Sequence, residues 1–187
     1  MLPAVSSAQS TILVFGDSLS AGYGIPREAA WPVLLQAELQ RTHPHYKVIN
    51  ASISGETTTG GLRRLPATLK EHRPNIVILE LGANDGLRGT ALEITEKSLV
   101  ALIKQAQASQ ARVLLLGMQL PPNYGVDYTK RFKRIYPRLA QRHAVALVPF
   151  MLEGVTAELF QTDNLHPVAE AQPVILKTVL QKLKPML

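Results

Sequence analysis

The chain has 187 residues, with 20 Lys plus Arg, 14 Asp plus Glu and no Cys. A chain of that length suits one compact domain, which buries roughly 70% of the surface its unfolded form exposes and so needs no disulfide or structural metal to hold it. With 46% apolar and 18% charged residues it is not disordered, its apolar runs are too short to span a bilayer, and the lack of Cys excludes zinc ribbons and a thiol nucleophile.

Residues 1–10, MLPAVSSAQS, carry no charge. Leu2, Pro3, Ala4 and Val5 followed by Ser6, Ser7 and Ala8 read either as the end of a secretory signal or as a disordered start. From residue 11 to residue 187 the chain reads as a single domain. β-Branched and apolar runs at 11–15, 47–51, 75–81, 112–117 and 145–150 predict five strands. Helical periodicity lies between them. Leu34, Leu35, Glu38 and Leu39 mark one helix. Leu92, Leu99, Leu102 and Ile103 mark another, and Thr90-Ala91-Leu92-Glu93 predicts a capping box at its start. Phe132, Ile135, Leu139 and Ala140 form an apolar stripe, and 174–183 closes the chain. Pro66 and Pro173 fall within helical patterns and are expected to kink or restart a helix. Five strands alternating with five helices predict a parallel sheet with helices on both faces, and its continuously apolar strands fit a sheet covered on both sides.

In such a sheet ligands bind outside the carboxyl ends of the strands. After the first strand comes Gly16-Asp17-Ser18-Leu19-Ser20-Ala21-Gly22-Tyr23-Gly24. It matches neither phosphate-binding glycine pattern nor the G-x-S-x-G elbow, which leaves a serine held at the strand end, or a helix cap. After the second comes Asn50-Ala51-Ser52-Ile53-Ser54-Gly55-Glu56-Thr57-Thr58-Thr59, where Gly55 lets the backbone turn an N–H into a cleft. Its plainer reading is a turn with Thr57 or Thr58 capping a helix. Gly82-Ala83-Asn84-Asp85-Gly86 follows the third strand, and Asn84 can offer a neutral donor to an oxyanion or simply make a turn. Asp163-Asn164-Leu165-His166-Pro167 precedes the last helix, with Pro167 expected at its first position. Asp and His three apart in a turn can meet, and a carboxylate that fixes a His tautomer is half of a serine-hydrolase triad. Together the four loops hold a nucleophile, a base, an orienting acid and oxyanion donors, the inventory for acyl transfer.

His72 and His143 end helices, where positive charge suits the dipole. His43 and His45 flank Pro44 without carboxylates nearby, so no metal site is expected. The net charge of +6 is concentrated: Lys130, Arg131, Lys133, Arg134, Arg138 and Arg142 meet no acidic residue between Asp127 and Glu153. Because Phe132 and Tyr136 read as packing residues, the basic residues are expected on a solvated helix face and nucleic-acid binding is not expected.

Gly16-Asp17-Ser18-Leu19, Gly55, Gly82-x-Asn84-Asp85 and Asp163-x-x-His166-Pro167 resemble the four blocks of the SGNH, or GDSL, hydrolases, in family order. The segments 50–58, 86–89 and 120–125 are similar to the bacterial thioesterase I/lysophospholipase/arylesterase group; Ala83 stands where that group often has Gly. The resemblance implies a three-layer flavodoxin-like α/β fold with Ser18 as nucleophile, His166 as general base and Asp163 orienting it. It also implies an oxyanion hole of Ser18 N–H, Gly55 N–H and the Asn84 amide, with no cofactor. Implied substrates are acyl esters, acyl thioesters and lysophospholipids, and the implied location is periplasmic or secreted, which favours the signal-remnant reading. The loops 85–90 and 118–127 are expected to flank the nucleophile, with Leu87, Leu120, Pro122 and Tyr124 as acyl contacts. A monomer without membrane insertion is expected. A carbohydrate O-deacetylase and a non-enzymatic binding module on the same scaffold are the alternatives.

Overall fold

Runs such as Ile76-Val77-Ile78-Leu79 have no polar face to turn to water, so they form strands covered on both sides. In the computed structural model, which describes residues 9–187, the strands are β1 (Ser10–Gly16), β2 (Tyr46–Asn50), β3 (Ile76–Glu80), β4 (Arg112–Leu116) and β5 (Ala146–Val148). They make one parallel sheet in the order β2-β1-β3-β4-β5, with Ile12 level with Val48 on one side and Ile76 on the other. The segment 1–8, on which the signal-remnant expectation falls, lies outside the described residues.

The helices are α1 (Ser18–Ala21), α2 (Trp31–Thr42), α3 (Thr58–His72), α4 (Ala83–Leu87), α5 (Leu92–Ala108), α6 (Val126–His143) and α7 (Gln172–Leu183). α2 packs against α7, and α3 and α6 both pack against α5, which gives a helical layer on each face. The predicted stripes face inward: Leu35 and Leu39 of α2, Leu99, Leu102 and Ile103 of α5, and Phe132, Ile135 and Leu139 of α6 are all buried. Each such side chain contributes about 1.5–3 kcal/mol by leaving water. The basic residues of α6 are exposed on its opposite face, where Arg131 pairs with Glu93 and Arg138 with Glu96.

The structure corrects several local expectations. Two short helices, α1 and α4, occupy what read as loops, because each holds too few apolar residues to show a period. The expected capping box is absent: Ala91 caps α5 without a side-chain bond. Thr90 is held instead through its backbone, its N–H donating to the Asp85 carbonyl at 3.0 Å and its carbonyl accepting from the Tyr128 hydroxyl at 2.8 Å, while Glu93 turns outward to Arg131. Pro167 does not open a helix. It bridges Phe160 in an antiparallel contact, and α7 begins five residues later with Pro173 in its first turn. α3 continues through Pro66 without restarting. β5 is shorter than expected because Pro149 has no N–H to extend the ladder.

β1 lies between β2 and β3, so the chain reverses direction across the sheet at β1/β3. That switch point leaves a crevice at the strands' carboxyl ends. Ser18 follows β1 there and Asn84 follows β3.

Candidate active site

Asp17 leaves β1 and caps α1, its Oδ1 accepting the Leu19 N–H at 3.1 Å. Ser18 is therefore the first residue of a helix at the crevice. Gly16 is required behind it, since a Cβ would stand 2.5 Å from Glu80 Oε2 and 2.9 Å from the Glu80 carbonyl.

His166 arrives from a tight loop between Phe160 and Pro167. The Gln161 N–H bonds the His166 carbonyl at 2.7 Å, and the Val168 N–H bonds Leu159 at 2.9 Å. Within the loop Asp163 Oδ1 accepts the backbone N–H groups of Leu165 and His166 at 2.9 and 3.0 Å. Its Oδ2 lies 2.6 Å from His166 Nδ1, and His166 Nε2 lies 2.8 Å from Ser18 Oγ. Desolvation raises the Asp163 pKa, but the His166 N–H, the imidazole and the Leu165 N–H outweigh it and hold the carboxyl down at about 2. A carboxylate at Nδ1 fixes the proton there, so Nε2 is left to accept the Ser18 hydroxyl proton. The Tyr23 ring lies 4.6 Å from the His166 ring, and Gln161 Nε2 donates to the Tyr23 carbonyl at 2.8 Å.

Gly55 turns with φ 79°, a left-handed conformation that disfavours any side chain. Neither its N–H nor that of Ser18 has a partner among the described residues. Thr57 caps α3 through its hydroxyl, with Gly60 N–H at 3.1 Å, which is the plainer reading of this loop. Asn84, on α4, directs Nδ2 to Asp17 Oδ2 at 3.0 Å and to the Glu56 carbonyl at 3.0 Å. Both amide hydrogens have acceptors, so an oxyanion at this point would share one of them. Ala83 takes an ordinary helical conformation because the positive φ falls on Gly82, at 120°.

Beside Ser18 opens a cavity of about 380 Å³, mostly apolar, lined by Leu87, Met118, Leu120, Phe150, Phe160 and Leu165 among others. Leu87 and Leu120 were anticipated here. Pro122 and Tyr124 fall on the short turn Pro122–Tyr124 beyond the lining. Sequence reasoning missed the wall formed by Phe150, Leu152 and Phe160, which lies in irregular chain without a period. It also missed Glu80, although a lone charge in an apolar strand was a visible signal. No cluster of three His, Asp or Glu suited to a metal occurs among the described residues.

The chain belongs to the GDSL-like lipase/acylhydrolase family, whose model matches residues 14–172, and it is a hydrolase of ester bonds. It is 48% identical to the esterase TesA of Pseudomonas aeruginosa over 97% of this chain and 91% of that one. It is 47% identical to an arylesterase of Vibrio mimicus, over 97% and 92% of the two chains. It is 44% identical to thioesterase 1/protease 1/lysophospholipase L1 of Escherichia coli K12, over 97% and 86%. A crystal structure of TesA superposes with a TM-score of 0.93 at 48% identity, covering 95% of this chain and 100% of that one. The psychrotrophic esterase EstA from Pseudoalteromonas sp., inhibited by monoethylphosphonate, superposes at 0.90 with 40% identity, covering 95% and 98%.

Proposed function

We propose that the chain hydrolyses short- to medium-chain acyl esters and thioesters, lysophospholipids among them, through an acyl-Ser18 intermediate. The observation that carries this reading is the line Asp163–His166–Ser18, with contacts of 2.6 and 2.8 Å, at the edge of an apolar cavity. His166 Nε2 takes the hydroxyl proton as Ser18 Oγ bonds the acyl carbon. Charge moves to the carbonyl oxygen, which meets the N–H groups of Ser18 and Gly55 and the Asn84 amide. The tetrahedral species collapses, His166 returns its proton to the leaving alcohol or thiol, and the acyl group stays on Ser18. Water then repeats the sequence with His166 as base and frees the acid.

The apolar lining supports an acyl chain rather than acetate alone as the favoured group. Small acyl substrates need no partner subunit, and we read the working form as a monomer. Among the described residues no helix is long and apolar enough to cross a membrane. A periplasmic or secreted location is part of the proposal, supported by the leader-like residues 2–8, and fractionation of expressing cells tests it.

The deciding experiment is labelling with an alkylphosphonate followed by intact-mass and peptide analysis. One adduct, on Ser18, with loss of p-nitrophenyl ester hydrolysis, is expected. Full labelling of Ser18→Ala, or none of the wild type, would overturn the assignment of the nucleophile.

A further inference from the structure

β3 ends in a carboxyl group that the reaction above does not use. Glu80 is fully buried and lies directly behind the Ser18 turn. Its Oε2 accepts the Asp17 N–H at 3.1 Å and the Ser20 hydroxyl at 2.8 Å. Its Oε1 is sealed from water and has no donor among the described residues. The neighbouring carboxyl is that of Asp17, itself fully buried, whose backbone N–H already lies on Oε2. Two carboxylates are acceptors only, and side by side in a dry site they cannot both be ionised. One proton must lie between them.

The surroundings decide which residue carries it. Asp17 is the better anion: Oδ1 accepts the Leu19 N–H, Oδ2 accepts the Asn84 amide, and His166 faces it across the crevice. The titratable group nearest Glu80 on α6 is Tyr136, a phenol whose pKa burial pushes further up and whose hydroxyl donates to the Leu81 carbonyl at 3.1 Å. Burial and then the Asp17 charge push Glu80 well above the usual carboxyl range. Burial also raises Asp17, but the Leu19 N–H, His166, Glu80 and Asn84 limit it to about 6.

We propose that Glu80 is a positioning residue: a neutral carboxylic acid whose Oε1–H donates to the Asp17 carboxylate and fixes, through it, both the Ser18 turn and the Asn84 amide. The proposal rests on the roles given above to Ser18 and Asn84. Oε2 holds the backbone and the Ser20 side of the turn, and Oε1 holds the carboxylate on which the Asn84 amide leans. The nucleophile and one oxyanion donor thus share a single buried anchor. Gly16 completes it, because any Cβ there would displace Oε2.

The test uses the whole chain and three substitutions. Glu80→Gln keeps a neutral side chain that can donate to Asp17 and accept from the Asp17 N–H and Ser20. Its kcat is expected within about threefold of wild type, because one neutral donor to the Asp17 carboxylate is exchanged for another. Glu80→Ala, and the size-matched Glu80→Met, lose the donor and are expected to lower kcat by about 10- to 100-fold with KM little changed, because misplacement of reacting groups is felt in the transition state. Infrared spectra near neutral pH should show a protonated-carboxyl C=O band in the wild type that Glu80→Gln abolishes. Absence of that band, or Glu80→Gln as impaired as Glu80→Met, would overturn the proposal. If Glu80→Ala does not fold, the infrared band and the Gln–Met comparison still decide. Wild-type labelling at Ser18 separates the two readings: failure to label sinks the nucleophile, whereas normal labelling with no infrared band sinks only the role of Glu80.

Discussion

Asn84 is held before any substrate arrives, and that sets what its loss should do. Its amide is oriented by Asp17 and by the Glu56 carbonyl, both at 3.0 Å, so no reorganisation is needed as negative charge develops on the substrate. Removing one oxyanion donor typically costs about 100- to 1,000-fold in rate. Asn84→Ala is expected to lower kcat on a p-nitrophenyl ester by that order while KM stays nearly constant. The fold should survive with a loss of about 1–3 kcal/mol, the cost of leaving the buried Asp17 Oδ2 without this donor. Rates close to wild type would remove Asn84 from the reaction. Ser18, Gly55, Asn84, Asp163 and His166, to which the proposed function gives roles, could be marked in the sequence only as a set, since each alone has a plainer reading there. Glu80 could not be assigned there: its role depends on which side chain faces its second oxygen, and no sequence pattern carries that.

Two of the proposed oxyanion donors, Gly55 and Asn84, sit beside α3 and on α4, and a single carboxylate ties those two helices together. Asp85, on α4, accepts the Thr58 N–H at 2.8 Å and the Thr58 hydroxyl at 2.6 Å. Thr58 is the first residue of α3, so Asp85 acts as an anionic cap on a neighbouring helix, where the dipole favours it. This clamp sets the spacing between the Gly55 loop and Asn84. Asp85→Ala would leave two buried donors unsatisfied and is expected to cost about 2–6 kcal/mol, at about 1–3 per buried group. Urea unfolding would measure it, and a change under about 0.5 kcal/mol, the level of an ordinary surface substitution, would show that the clamp does not act. Elements of this kind were only partly legible. Strands and apolar stripes declare themselves by periodicity, which is why the sheet and α2, α5 and α6 were anticipated. Thr90 matched a capping pattern, but Tyr128 and the Asp85 carbonyl bind its backbone and Ala91 takes the cap. Tertiary contacts of that kind override a local signal. The irregular segment from Phe150 to Phe160 builds a cavity wall without any repeat to announce it.

At the scale of the whole molecule Asp163 and the buried Asp17 give stability two opposing dependences on pH. Asp163 has its pKa lowered to about 2, so its contribution is present above the ordinary value of 3.8 and is lost as pH falls through about 2. Asp17 has the opposite sign. Its folded-state value is raised from 3.8 to about 6, chiefly by burial, so between those limits the folded chain binds more protons than the unfolded one. Stability from this group is full below about 3.8, falls as pH rises through about 6, and is then flat. Asp17→Asn removes that titration while keeping a side chain of the same shape that can still cap α1. Unfolding free energies of the two proteins should diverge in favour of the variant between about pH 4 and pH 6, by a total on the order of 2 kcal/mol. Glu80 stays protonated in both through this window, and the groups facing the pair, Tyr136 and His166, are common to both. Hydrolysis should move the other way, since the variant loses the anion on which the Asn84 amide leans. A variant that is both no more stable near neutral pH and fully active would show that Asp17 carries no buried charge, and a parallel pair of pH–stability curves would show the same independently of catalysis.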